Sequence, residues 1–443
     1  MTEATKSLAS KLYQMTLPMI VGVLAIMSYQ LVDSAFIGQL GVKPLAVVGF
    51  TIPVYQLIIG IQVGVGIATT AVISRVLGAN DQHQAKQLGS LVVAIGGLLI
   101  GLLCVMIWLF QRPILTMLGA EQELLPLASS YWLPWLISAW LGALLYYGYS
   151  IYRAHGYTKA PGVVMVISSI INVILDPLFI FTFDMGIAGA AWATIVSFIA
   201  GCIIIYPRVI ANQWLTLQIN IGESLRGLNC LSAIMIPAMA SQFIPPTSAM
   251  AATAIVASFG ENVMAAWGLG TRIEYFSIIV VLALTMAMPP MIGRFRGAND
   301  FDSIHRLVVI AVCFVAGFQL LMALTTMVLS QPIGRLLTSD PTVAAIVGDY
   351  LWSVPLSYGA LGICMVLVSA ANAMGKPATA LLTSLLRLLC CYLPCLWIGA
   401  RWGGINGVFW GAAVGNFAAG IVSWQLYRTA LRSLRATITP ATA

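Results

Sequence analysis

SRVLGAND at 74–81 and GRFRGAND at 293–300 are two copies of one turn, 219 residues apart. Other pairs keep almost the same offset. Pro18 meets Pro237, Pro113 meets Pro332, and Gly156 in RAHG meets Gly375 in NAMG. Shifted by 218, IAGAAW (187–192) meets INGVFW (405–410). One such match is weak. Five at nearly one spacing define an internal repeat, so the chain holds two related halves.

The halves are built of apolar helices. The 443 residues are 60% hydrophobic and 8% charged, where a soluble domain carries about 25% charged residues. So few charges cannot cover a water-facing surface. Apolar stretches of roughly 20 residues, the length that crosses a bilayer, recur throughout. Charged, Gly- or Pro-bearing turns separate twelve of them: 14–38, 46–76, 86–110, 125–152, 160–182, 186–207, 230–257, 262–292, 305–330, 345–373, 377–400 and 404–430. The expected fold class is an all-α integral membrane protein with twelve transmembrane helices in two pseudo-symmetric six-helix bundles. The bundles are expected at 1–207 and 230–443, with a cytoplasmic connector at 208–229. Six spans is an even number, so both halves run the same way and are related by an axis along the membrane normal. The first apolar run continues past residue 30 without an A-x-A-like exit, which marks an uncleaved first helix.

A net charge of +7 is here a topology signal and no sign of nucleic-acid binding. With the N-terminus in the cytoplasm, fifteen of the 21 Lys and Arg residues fall on the cytoplasmic side, Lys6, Arg75, Arg153, Arg294 and Arg432 among them. Lys43, Arg112, Arg335 and Arg401 fall opposite, and Arg272 and Arg387 lie within spans. Both termini are therefore expected inside. The eight cysteines form no CxxC pair and accompany no His cluster, so they read as small apolar filler, with no metal site and no cofactor. A pseudo-symmetric pair of bundles implies a central cleft, opened to each side in turn by rocking. That points to a transporter and away from an enzyme.

Ionisable residues inside a membrane cost about 2.5–3.5 kcal/mol each on insertion scales and persist where they face a cavity or a partner. Four stand out: Asp33, Asp176, Arg272 and Glu274. In SSIINVILDPL (168–178), Asn172 precedes Asp176 by four residues, which puts both on one helix face. The amide can offer a donor to the carboxylate or an oxygen to a cation. Asp33 lies late in the first span with Tyr29 and Gln30 on its own face. Such an acid pair can take up a proton outside and release it inside, or hold Na⁺ among its oxygens. Pro18 interrupts the same span about four turns earlier, removing one backbone hydrogen bond, and is the candidate hinge. Arg272 and Glu274 are two residues apart and do not face each other. The 19 Met and 12 Trp residues are mostly packing, and some suit a cleft for flat organic cations.

Taken together, LPMI around Pro18, LVDSAFIG around Asp33, the two GAND turns and NVILDPLFIF followed by GIAGAAWAT resemble the MATE (multidrug and toxic compound extrusion) family over essentially the full chain. The likeness is greatest to its prokaryotic DinF-type branch. The resemblance implies a prokaryotic cytoplasmic (inner) membrane protein, expected as a monomer. It would export organic, often cationic, drugs by alternating access in exchange for H⁺ or Na⁺. It further implies that Thr194 and Tyr131 join Asp33, Asn172 and Asp176 at a polar cavity in the first half. Tyr29 and Met165 would lie near it, and protonation of Asp33 would accompany bending at Pro18. The NorM-type branch keeps acids in its seventh and tenth spans. Residues 236–250 have none, so coupling is expected in the first half. A lipid-linked saccharide flippase of the related superfamily is the alternative, although it calls for a more cationic cleft. An intramembrane aspartyl protease would carry YD and GxGD motifs. The chain has VD at 32–33 and LD at 175–176.

Overall fold

The computed structural model describes residues 3–216 and 221–436. Every element among them is helical. The GAND turns show how one sequence signal ends a helix and starts the next. Asn80 and Asn299 sit in the left-handed region at φ 63° and 57°, a conformation that Asn tolerates better than most residues. The N–H of Asp81 reaches back to the Val76 carbonyl at 3.2 Å, and that of Asp300 to Phe295 at 2.8 Å, closing the preceding helix. Each Asp then caps the following helix. Asp81 Oδ1 accepts from the Gln84 N–H at 2.9 Å and Asp300 Oδ1 from the Ser303 N–H at 3.0 Å, satisfying a donor with no intrahelical partner. Gly156 and Gly375 likewise share positive φ values of 87° and 76°.

The first half runs α1 (Glu3–Gln39), α2 (Val42–Gly78), α3 (Gln82–Leu109), α4 (Leu125–Ala154), α5 (Lys159–Thr182) and α6 (Gly186–Ala211). The second runs α7 (Ile221–Ala257), α8 (Glu261–Gly297), α9 (Phe301–Val328), α10 (Pro341–Ala373) and a last stretch, Pro377–Ala436. Gly404, at φ 59° and ψ −140°, breaks that stretch into α11 (377–403) and α12 (405–436). Ten helical stretches among the described residues are long and apolar enough to cross a membrane. The division at Gly404 supplies one more span. The other is α4, whose eight Trp and Tyr side chains make it less hydropathic than its neighbours. The result is the twelve-helix, strand-free membrane fold expected above.

Two features differ from the expected layout. α1 starts at Glu3, well before the apolar run, because the polar segment EATKSLASKLYQ is itself rich in helix formers. The connector is also shorter than 208–229. α6 continues to Ala211 and α7 begins at Ile221, while 217–220 lie outside the described residues. Between them Trp214 stacks on His155 at 4.1 Å and on Tyr157 at 5.6 Å. Ser90 Oγ donates to the Thr216 carbonyl at 2.8 Å and accepts from its N–H at 2.7 Å.

The chain divides into two compact units. One runs from Gln14 to Met239; the other takes the chain up to Tyr13 and again from Ala240. The boundaries thus fall inside α1 and α7 instead of in the connector. The start of α7 packs within the first unit. A Cβ on Gly64 of α2 would lie 2.4 Å from Met239 Cγ, and one on Gly227 of α7 would lie 3.2 Å from Leu88 of α3.

Candidate functional site

Within the first unit, the end of α5 sets the geometry. Pro177 has no N–H to bond the Val173 carbonyl, and from Leu178 to Thr182 the backbone winds as a π-helix. Such segments are often found at functional sites. Asp176 sits on the residue before this seam. Its side chain is 0% exposed, and neither carboxylate oxygen has a hydrogen-bond partner.

Asn172, one turn earlier, is 1% exposed. Its amide donates to Thr194 Oγ of α6 at 3.1 Å, and that hydroxyl donates on to the Ala190 carbonyl at 3.0 Å. The orientation of the amide is thereby fixed, and Asn172 Oδ1 is left buried without a partner. Asp33 of α1 is half-buried, and its Oδ1 is also shielded and unpartnered. Asp33 and Asp176 lie within range of each other's charge, and both act on the phenols of Tyr29 and Tyr131. The structure therefore gathers Asp33, Asn172, Asp176, Thr194, Tyr29 and Tyr131 into one neighbourhood. Tyr131 is buried, Tyr29 half-buried and Gln30 exposed. Gln30 reaches the hydroxyls of Tyr29 and of Tyr55 on α2. Tyr55 was not singled out in the sequence. Its only signal there is a phenol beside Gln56 in a largely apolar span.

Pro18 is held by contact as well as by its ring. A Cβ on Gly162 of α5 would sit 2.4 Å from the Pro18 carbonyl oxygen. One on Gly22 would meet Met165 Sδ at 2.8 Å and Gly162 Cα at 3.2 Å. α1 and α5 thus touch backbone to backbone at the proline, with buried Met165 beside the contact. The glycine pair was not anticipated either, because nothing in the sequence says which small residues face one another.

This collection of hard oxygen donors suits H⁺ or Na⁺. No group of three or more His, Cys, Asp or Glu side chains that could hold a metal ion occurs among the described residues. The repeat preserves the fold but not this chemistry. At positions 219 later, Asp33, Asn172 and Asp176 become Ala252, Cys391 and Cys395, while Tyr131 recurs as Tyr350. An apolar groove of about 580 Å³ between α3 and α4, lined by Leu98, Trp108 and Trp140 among others, holds no charged side chain. Its chemistry matches lipid tails.

Two matching sets of membrane-spanning helices, with a buried, unpaired carboxylate and a half-buried one inside one of them, define a polytopic membrane carrier. The MatE family model matches residues 18–178 and 237–398, once in each half, and the chain belongs to that family, the MATE transporters. Its fold is shared with an Asp-to-Asn variant of the Vibrio cholerae MATE transporter VcmN at a TM-score of 0.95, with 54% identity over 98% of this chain and 99% of that one. A Shewanella oneidensis protein named FAD transporter is 31% identical over 96% of both chains. The multidrug export protein MepA of Staphylococcus aureus is 26% identical over 89% of this chain and 88% of its own.

Proposed function

We propose that the protein exports organic compounds, cationic aromatic drugs among them, in exchange for H⁺ or Na⁺ taken up at Asp33, Asn172 and Asp176. The observation that carries this reading is Asp176, fully buried with two unpartnered carboxylate oxygens. An ionised carboxylate in that setting is costly unless a cation joins it. Binding an ion from outside relieves that cost, and releasing it inside restores it, so the ion changes the stability of one state against another. The Asn172–Thr194 bond holds the amide oxygen ready to share the ion. Contact of Gly22 and Gly162 beside Pro18 gives α1 a bearing on which its upper part, carrying Tyr29 and Asp33, pivots.

Each proton contributes about 1.4 kcal/mol per pH unit, and net charge moved adds about 2.3 kcal/mol per 100 mV. Both termini are assigned to the cytoplasm on the strength of the Lys and Arg bias. Reconstituted vesicles carrying a proton gradient alone, then a Na⁺ gradient alone, test the exchange with ethidium as cargo. One of the two gradients should drive ethidium uphill, and failure of both would refute ion-coupled export. A second reading, export of a flavin dinucleotide, rests on the 31% identity to the FAD transporter over 96% of both chains. Competition of FAD against ethidium in the same vesicles separates the cargoes.

A further inference from the structure

The apolar groove of about 580 Å³ runs between α3 and α4, within the first unit. Its α3 wall is one continuous face. Ala94, Leu98, Gly101, Val105 and Trp108 follow each other at steps of four and three, the spacing of neighbours on a helix. Leu133, Ile137, Trp140 and Leu144 make the facing wall on α4. The floor lies where the two helices approach. A Cβ on Gly97 would stand 2.9 Å from Leu144 Cδ2, and one on Gly101 would stand 3.2 Å from Trp140 Nε1. The Trp140 Nε1–H donates to the Gly97 carbonyl at 2.9 Å, so this indole has no donor left for an occupant. Leu98, Leu102 and Val105 are exposed along the rim. The second half does not repeat these residues. At positions 219 later, Gly97, Gly101 and Trp140 become Ala316, Leu320 and Gly359. The groove is therefore no by-product of the shared fold.

Its dimensions select the occupant. From Val93 to Trp108 the groove follows α3 for about 22 Å, at 1.5 Å per residue. Its volume spread over that length leaves a cross-section of about 26 Å². A helix about 10 Å across needs about 80 Å². A single hydrocarbon chain, packed at contacts of about 4.0–4.5 Å, needs roughly 20 Å². The groove is thus too narrow for a helix of another protein or of a second copy, and wide enough for one chain. Its length exceeds the roughly 15 Å of one leaflet, half of a 30 Å hydrocarbon core. A chain that fills it is extended and passes the midplane. The Trp108 end marks the mouth, since indoles favour the headgroup level. Arg112 continues the same α3 stripe one turn further on. It is exposed and belongs to none of the ion pairs closer than 4.0 Å among the described residues. A guanidinium in that place suits a phosphate.

We propose that the groove binds one extended acyl chain of an anionic phospholipid, with the phosphate at Arg112 and the chain end beside Ala94. The site is separate from ion coupling and from cargo, and it stands whether or not Asp33 and Asp176 drive export.

The test is photolabelling of the full-length protein in phosphatidylcholine nanodiscs. The probes are phosphatidylglycerols with a diazirine at the end of a stearoyl or of a lauroyl chain, and labelled residues are mapped by peptide mass spectrometry. The stearoyl probe should label Ala94 and Leu144 about tenfold more than it labels Leu320 and Leu321, which are exposed on α9 and stand for ordinary boundary lipid, a difference of about 1.4 kcal/mol. The shorter lauroyl chain should label Leu98 to Val105 instead. Ala94→Phe changes an exposed position and plugs the deep end, leaving about 15 Å from Leu98 to Trp108. It should cut stearoyl labelling of Leu144 by about fivefold or more and leave the lauroyl pattern as it is. A phosphatidylcholine with the same stearoyl diazirine should label the native groove about fivefold less, the scale of one arginine at an anionic headgroup, and Arg112→Gln should remove that difference. Equal labelling of the groove and of α9 would overturn the proposal. So would stearoyl labelling unchanged by Ala94→Phe, equal labelling of the native groove by the two headgroups, or a groove that no lipid probe labels.

Discussion

Replacing Gly162 by Ala places a methyl carbon 2.4 Å from the Pro18 carbonyl oxygen and 2.8 Å from its carbonyl carbon. Carbon and oxygen in contact stand about 3.3 Å apart at closest, so α1 and α5 must separate by about 1 Å at this point. Both partners are backbone and neither can rotate away. An overpacked contact of that kind costs about 1–3 kcal/mol. Gly22→Ala is the internal comparison. Its nearest obstacle, 2.8 Å away, is the flexible end of Met165, with Gly162 Cα next at 3.2 Å. Met adapts readily, so the cost should fall to about half or less of that for Gly162. Gly38→Ala on the same helix meets nothing within 4 Å and should leave stability unchanged or raise it by up to about 1 kcal/mol through helix propensity. Apparent unfolding temperature in detergent should therefore rank Gly162→Ala lowest, Gly22→Ala intermediate and Gly38→Ala at or above native. Ethidium efflux should follow the same order if the contact is the bearing of α1. Native stability and efflux in Gly162→Ala would refute the close-contact reasoning.

Thr194→Val removes the hydroxyl that accepts from Asn172 at 3.1 Å; a buried amide left without its partner costs about 1–3 kcal/mol, so efflux should slow several-fold while cargo binding is retained. Asn80→Gly should be tolerated, whereas Asn80→Ala at φ 63° should lose about 1 kcal/mol, measured by thermal unfolding. Burial disfavours the Asp300 carboxylate, but the Ser303 hydrogen bonds, the Arg306 charge and the Asp302 N–H outweigh it and hold its carboxyl below the usual range. The folded value is the lower one, so this stabilisation is present above the unfolded carboxylate range near pH 4 and is lost as pH falls through the folded value. Asp300→Asn, which still caps but carries no charge, should be less stable than native at neutral pH and lack that acid-dependent part of the loss.

The fold was legible because its signals are local and repeated. Each GAND turn carries its own helix stop and helix start, and its second copy shows that the halves correspond. Asp176 was legible as a single charge in an apolar run, and Asn172 through helical spacing. Thr194 and Tyr131 came only from family resemblance, since their closeness to Asn172 and Asp176 depends on how helices pack; Met165 came the same way, and the structure sets it against Gly22, about three turns before Asp176 on α5. Gly22 and Gly162 could not be paired from sequence, because a small residue carries no mark of its neighbour. The helical end of the connector was missed because it belongs to helices that outrun their apolar cores. Glu274 was visible as a charge, but the hydrogen bond it accepts from Tyr350 depends on how α8 and α10 pack.

The central claim is that Asp33 and Asp176 take up the ion that drives export. Uphill ethidium efflux in vesicles carrying Asp33→Asn or Asp176→Asn, under the gradient that powers the native protein, tests it directly. Each variant should lose ion-driven efflux by about tenfold or more, the effect of removing one charge from a buried site, while still binding ethidium. Pumping at the native rate by both variants would contradict the account.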